Sequence, residues 1–144
     1  DWGPHDVAMC LNLLRESPRE IRATREERMT QGSAVAETLR LELVFSSGAR
    51  ARIRVSNMME KTRRFSVRCA AGVLVYDDIA RNKLVLQRDG EERPINVSPE
   101  PPLSRVVKAF VAGIEAGNDA TASLDLAVDV VAVLGRCARV LATA

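Results

Sequence analysis

Very little in these 144 residues is aromatic: Trp2, Phe45, Phe65, Tyr76 and Phe110 are the whole supply. So sparse a set offers few platforms on which bases could stack, and a formal net charge of +2 adds little pull on a phosphate backbone. A nucleic-acid partner is not expected. Histidine is scarcer still, with His5 alone, so a protein-built metal centre would have to rest on carboxylates, and none is expected. Cys10, Cys69 and Cys137 are odd in number and far apart, which fits neither a disulfide framework nor the close pairs of a zinc site. Apolar neighbours beside each predict buried structural thiols. No apolar run approaches the ~20 residues that cross a bilayer, and no basic segment leads into an apolar one. A membrane partner is not expected, and the cytoplasm is the expected compartment. Neither GxGxxG nor GxxxxGK[ST] occurs, so no glycine-rich phosphate cradle is encoded. Without a GxSxG elbow, and with one imidazole, Ser-His-Asp hydrolysis has no support either.

What is present is enough apolar material for a core. Apolar residues make up 47% and charged residues 28%, and the length suits one domain over residues 1–144. In Gly3 to Leu14, Pro4 sits where a first helical residue would, and Val7, Cys10, Leu11 and Leu14 recur at helical spacing up to Ser17-Pro18. The charge-rich stretch that follows, with Ile21 and Ala23, reads as an edge strand or a loop. Next, Leu39, Leu41, Leu43 and Phe45 alternate with Arg40 and Glu42, and Ala49, Ala51, Ile53 and Val55 alternate with Arg50, Arg52 and Arg54. With Ser46-Ser47-Gly48 between them, this is a β-hairpin in which Glu42 faces Arg52. Its arginine row is either a solvated face or an interface between subunits.

Further strands are expected around Phe65, Val67 and Cys69, in VLVY before Asp77, in LVLQ before Asp89-Gly90, and in INV after Pro94. The period then changes. Leu103, Val106, Val107, Phe110, Val111 and Ile114 trace a helical stripe. Ser123 as N-cap, followed by Leu126, Val130, Val131, Leu134, Cys137 and Leu141, predicts a last helix. Helix, strands, then two helices point to an α+β fold, with helices on one face of a mostly antiparallel sheet.

Chemistry concentrates at the opening, Asp1-Trp2-Gly3-Pro4-His5-Asp6. An imidazole in the first turn of a helix can act as general base toward a substrate hydroxyl, and as general acid in reverse. Asp1 is near enough in sequence to approach that ring or the substrate.

DWGPH resembles the D-x-G-x-H motif of the Gfo/Idh/MocA family, the glucose-fructose oxidoreductase and inositol dehydrogenase superfamily. The order downstream is similar as well. The hairpin around Ser46-Ser47-Gly48 resembles the family's strand, small-Gly turn, strand segment, and Gly72 to Asp77 its G-x-L-x-x-D stretch. Pro102-Leu103 through Phe110 to Gly117 resembles its PL…F…G helix, and the helix after Ala122-Ser123 its terminal one. The resemblance implies the C-terminal, substrate-side domain of an oxidoreductase that moves hydride between NAD or NADP and a carbon-bound hydroxyl of a sugar, polyol or similar small molecule. It assigns proton transfer to His5 and orientation of that ring or of substrate to Asp1.

The family often carries Asp three residues after its histidine, where this chain has Ala8. The nucleotide-binding Rossmann domain and the Glu-Lys-Pro motif are not in these residues. The chain opens on Asp1 rather than Met, so a longer parent protein is expected, with no cofactor-binding residues in this part and no turnover by this part alone. The resemblance also implies a homo-oligomer formed through the open sheet face. The alternative is a non-catalytic dimerisation or ligand-sensing module on the same scaffold.

Overall fold

Pro4 opens α1 (Pro4–Leu14) as its first helical residue in the computed structural model, which describes residues 3–60, 62–98, 100–117 and 121–143, with 121–123 described for backbone only. Proline suits that place because the N–H it lacks would have no partner in the helix. Val7, Cys10 and Leu11 are buried along one side. The helix stops where Arg15 turns left-handed at φ 57° and donates its N–H to the Leu11 carbonyl at 2.8 Å, just before Ser17-Pro18.

Three antiparallel strands follow in the order β1 (Glu20–Gln31), β2 (Ala34–Val44) and β3 (Arg50–Ser56). The hairpin has the register its alternation predicts. Glu42 lies opposite Arg52, Leu41 opposite Ile53, Leu43 opposite Ala51, and the Phe45 N–H donates to the Ala49 carbonyl at 3.0 Å. Leu41, Leu43, Phe45 and Ile53 are buried on one face, which α1 and the last helix, α3 (Thr121–Thr143), cover. The charge-rich segment is the edge strand of the two alternatives, with Ala23 buried beside Leu41. Its charges discourage pairing with a further strand, a common protection of a free edge. These elements form one compact unit, Asp1–Met58 with Asp119–Ala144.

α3 departs from expectation in two details. It begins at Thr121, so Ser123 is its third residue rather than its N-cap. Its covered stripe is Val130, Val133 and Cys137, whereas Val131 is exposed. Helical spacing alone allowed either choice between neighbouring valines.

The second unit, Met59–Asn118, contains a four-stranded antiparallel meander: β4 (Arg64–Cys69), β5 (Gly72–Asp77), β6 (Leu84–Arg88) and β7 (Glu91–Pro94). Three of these match the predicted strands, but the fourth lies before Ile95-Asn96-Val97 rather than on it. Asp89-Gly90 makes a two-residue turn, so Arg88 pairs directly with Glu91. β6 begins at Leu84, and the ladder closes there with the Ile95 N–H donating to the Leu84 carbonyl at 2.8 Å, which leaves Asn96 and Val97 no strand to pair with. Cys69 also departs from expectation: it is exposed, whereas Cys10 and Cys137 are buried. Residues adjacent on a strand point to opposite faces, so its apolar neighbours say nothing of its own burial.

α2 (Pro102–Glu115) is helical as predicted, yet its apolar stripe is uncovered. Every residue of it except the half-buried Gly113 is exposed. The fold is α+β with antiparallel strands throughout, as expected, but the strands divide into two sheets. No described helix is long and apolar enough to cross a membrane.

Candidate functional site

The start of α1 is set by Gly3. Its φ of 94° is a conformation that L side chains resist, and its carbonyl accepts the Val7 N–H at 2.9 Å. A Cβ at this position would lie 3.8 Å from Leu134 Cδ2 and 4.0 Å from Leu41 Cδ1. The glycine therefore rests on the core between α3 and the sheet, which gives the third letter of DWGPH a physical reason.

Two residues on, His5 is exposed in the first turn of α1. Met9, Asn12 and Leu13, at four, seven and eight residues beyond it, are exposed too. A helix turns about 100° per residue, so these four side chains share the side of α1 opposite Val7, Cys10 and Leu11. The histidine is thus bordered along its own helix by Met9 and Leu13. The sequence reading missed that strip, although the spacing from His5 would have located it. On α3, Leu124, Val128 and Val131 are exposed at helical spacing, so the solvent side of that helix is apolar as well.

Asp6 and Ala8 are half-buried on the flanks of α1. Burial, with a smaller contribution from the Asp6 carboxylate one turn away, pushes the Cys10 thiol up to about 11. Burial also raises the Cys137 thiol, against the opposing charge of Arg136. Both are inert packing groups rather than nucleophiles. Ala8 offers no polar atom where the family pattern has a carboxylate. Asp1, the other predicted site residue, lies outside the described residues, and so does its pairing with His5.

The described residues do not fit a dinucleotide. α1 and α2 both begin with proline, which removes an N–H from the first turn where a phosphate would seek one, and the strands are antiparallel rather than wound in βαβ units. Among the described residues, no group of three or more His, Cys, Asp or Glu could hold a metal ion.

Other polar groups serve the framework. Arg136 of α3 donates to the Pro18 carbonyl at 2.7 Å and the Arg19 carbonyl at 3.2 Å, fixing the link between α1 and β1. Glu16 accepts from the N–H and hydroxyl of Ser47, holding the β2–β3 turn. An open groove of about 350 Å³ is lined by Leu11, Asn12, Arg15, Glu16, Ser17, Leu126 and Asp129. Its α1 residues belong to the C-terminal part of that helix, away from His5.

The arginine row is not brought to His5. It lies on the sheet face opposite the helices, where Arg40 and Arg54 both pair with Glu26 and Arg52 lies 3.8 Å from Glu42. Glu26 reaches both because β1 shifts register between Arg25 and Glu27. The Arg54 hydrogen bond, followed by the charge of Arg40, holds its carboxyl below the usual range. In the second unit Asp78 accepts from Lys83 at 3.1 Å, Tyr76 at 3.2 Å and Arg63 at 3.4 Å. Lys83, then Tyr76, keeps this carboxyl low, and burial with Asp78 raises the Tyr76 phenol.

The profile of the GFO/IDH/MocA C-terminal domain matches residues 1–75. A crystal structure reported as a candidate oxidoreductase from Magnetospirillum magnetotacticum MS-1 is 38% identical, with a TM-score of 0.84 over 95% of this chain and 47% of that one. The UDP-N-acetylglucosamine 3-dehydrogenase of Acidithiobacillus ferrooxidans is 16% identical and shares the fold, with a TM-score of 0.80 over 98% of this chain and 46% of that one. The chain spans about half the length of these two structures. None of the curated proteins matches it. With the profile over half of the chain and a 38% identical structure covering 95% of it, the chain belongs to the Gfo/Idh/MocA family, whose C-terminal domain it forms.

Proposed function

We propose that this chain is the substrate side of an NAD(P)-dependent oxidoreductase and that His5 moves the proton of a carbon-bound hydroxyl in a sugar, polyol or similar small molecule. The observation that carries this reading is the placement of His5: exposed in the first turn of a helix whose start is seated on the core, and bordered by apolar Met9 and Leu13. A general base has to present its ring nitrogen within hydrogen-bond reach of the hydroxyl, from a support that does not drift. α1 provides such a support.

In the oxidative direction the imidazole accepts the hydroxyl proton as the carbonyl forms, and in the reductive direction the imidazolium returns it. The nicotinamide, when bound, takes or gives the hydride, and the residues that hold it belong to another part of the parent protein. The apolar strips beside His5 and along α3 then border a site from which water can be excluded. Asp1 is assigned to orienting the imidazole or the substrate. Association of copies through the polar face of the β1–β3 sheet and a cytoplasmic setting complete the reading.

The test is nicotinamide reduction by the parent protein against a panel of sugars and polyols, repeated with His5→Ala. Removing a general base costs roughly 10²- to 10⁴-fold in turnover, with a smaller change in cofactor affinity. An undiminished rate would take His5 out of the mechanism. No turnover across the panel by the unaltered protein would favour the non-catalytic module instead.

A further inference from the structure

We infer that Leu134 of α3, together with Leu41 of β2, is a positioning residue for His5: the two side chains hold the start of α1 so that the imidazole keeps its reach. The inference rests on the reading of His5 as the proton-transfer group.

A helix start is ordinarily tied down by a side-chain cap, and an uncapped first turn opens easily. α1 lacks that device. Its N-cap is Gly3, no side chain bonds there, and Pro4 has no N–H for a cap to hold. Gly3 is nevertheless buried. Among the described residues, apart from its chain neighbours, only Leu134 Cδ2 at 3.8 Å and Leu41 Cδ1 at 4.0 Å come within 4 Å of the point where its Cβ would stand. Packing takes the place of the missing cap, and it acts two residues from His5.

The far end of α1 is fastened differently. There the Arg15 N–H bonds to the Leu11 carbonyl, Glu16 accepts from Ser47, and Arg136 donates to the Pro18 and Arg19 carbonyls. None of these contacts involves the Leu134 side chain. Truncating Leu134 therefore loosens one end of α1, the end that carries His5. A proton acceptor has to sit roughly 2.6 to 3.2 Å from the hydroxyl, and a misplacement of about 1 Å can cost on the order of 10²-fold. Leu134 is half-buried whereas Leu41 is 3% exposed in the sheet core, so Leu134 is the member of the pair whose truncation costs the fold less.

The test compares Leu134→Ala with Val133→Ala, a truncation on the same helix at a more deeply buried side chain that comes nowhere within 4 Å of that point. In the full-length parent protein, amide hydrogen exchange resolved to single residues should show the Val7 N–H, which bonds to the Gly3 carbonyl, exchanging at least ~10-fold faster in Leu134→Ala, with the Arg15 N–H changed less than ~3-fold. Turnover should fall about 10-fold or more while KM for substrate and cofactor moves less than ~3-fold. Leu134→Met, which nearly conserves volume, should restore both readouts, and Val133→Ala should leave turnover and the ratio of Val7 to Arg15 exchange within ~3-fold. If Leu134→Ala does not fold, Leu134→Val carries the same comparison. Equal acceleration at Val7 and Arg15 overturns the inference, as does a Val133→Ala variant that matches Leu134→Ala. Unchanged turnover in Leu134→Ala, where His5→Ala does lower it, overturns it as well and leaves the role of His5 standing. A His5→Ala protein of undiminished rate removes that role instead, while the exchange at Val7 still reports whether Leu134 holds the helix start.

Discussion

At the scale of single residues, two glycines that look alike in the sequence carry different demands. Gly3 and Gly72 both have positive φ, at 94° and 135°. A Cβ on Gly3 would meet only side-chain carbons at ordinary contact distance, whereas one on Gly72 would lie 2.6 Å from the Gln87 carbonyl oxygen, a backbone atom of the neighbouring strand. Gly3→Ala should therefore cost the dihedral strain, roughly 1 to 2 kcal/mol, and Gly72→Ala should cost roughly 2 to 4 kcal/mol because β5 must also move from β6. Chemical denaturation of the two variants measures the order, and equal losses would refute the clash. His5 and Gly3 are legible in the sequence because they share one short motif. The reason for Gly72 is not, because it depends on an atom fifteen residues away that only strand pairing brings near.

At the scale of elements, what could be read was periodicity, and what could not was contact across elements. The β2–β3 register followed from alternation because one face had to be buried, and a slip of one residue would have turned Leu41 and Leu43 to solvent. The β1 bulge at Glu26 left no such trace, since charged residues satisfy either face. The partners of Arg136 were equally invisible, lying 117 and 118 residues away on a loop. Arg136→Ala should leave the Pro18 and Arg19 carbonyls without that donor and lower stability by roughly 1 to 3 kcal/mol, read from the denaturation midpoint. Arg136→Lys should recover part of the loss, because an ammonium supplies charge without the planar fork that spans two carbonyls.

At the scale of the whole molecule, the order of helix, strands and two helices was legible, and with it the α+β class. Division of the strands into two sheets was not, because alternation says which face of a strand is buried but not which neighbour it joins. Whole-molecule stability should be bounded by pH on both sides. Cys10 ordinarily titrates near 9.0 and is pushed up to about 11 in the fold. Between those values the unfolded chain releases a proton that the folded chain keeps, so roughly 2 to 3 kcal/mol should be lost as pH rises from 9 to 11. Cys137 shifts in the same direction. On the acid side, Glu26 and Asp78 have lowered folded values, so their contribution is present at neutral pH and lost as pH falls through the carboxylate range. Denaturant midpoints across pH, repeated with Cys10→Ser, check the alkaline limb, which the variant should flatten.

α1 divides its work lengthwise. Val7, Cys10 and Leu11 belong to the core, while His5, Met9, Asn12 and Leu13 belong to the open side. Substitutions at 9, 12 and 13 can therefore accumulate with little loss of stability, and those at 9 and 13 alter the apolar border of His5. The open side of this helix is therefore free to change its chemistry without first reinforcing the fold, since selection on one set of residues scarcely constrains the other.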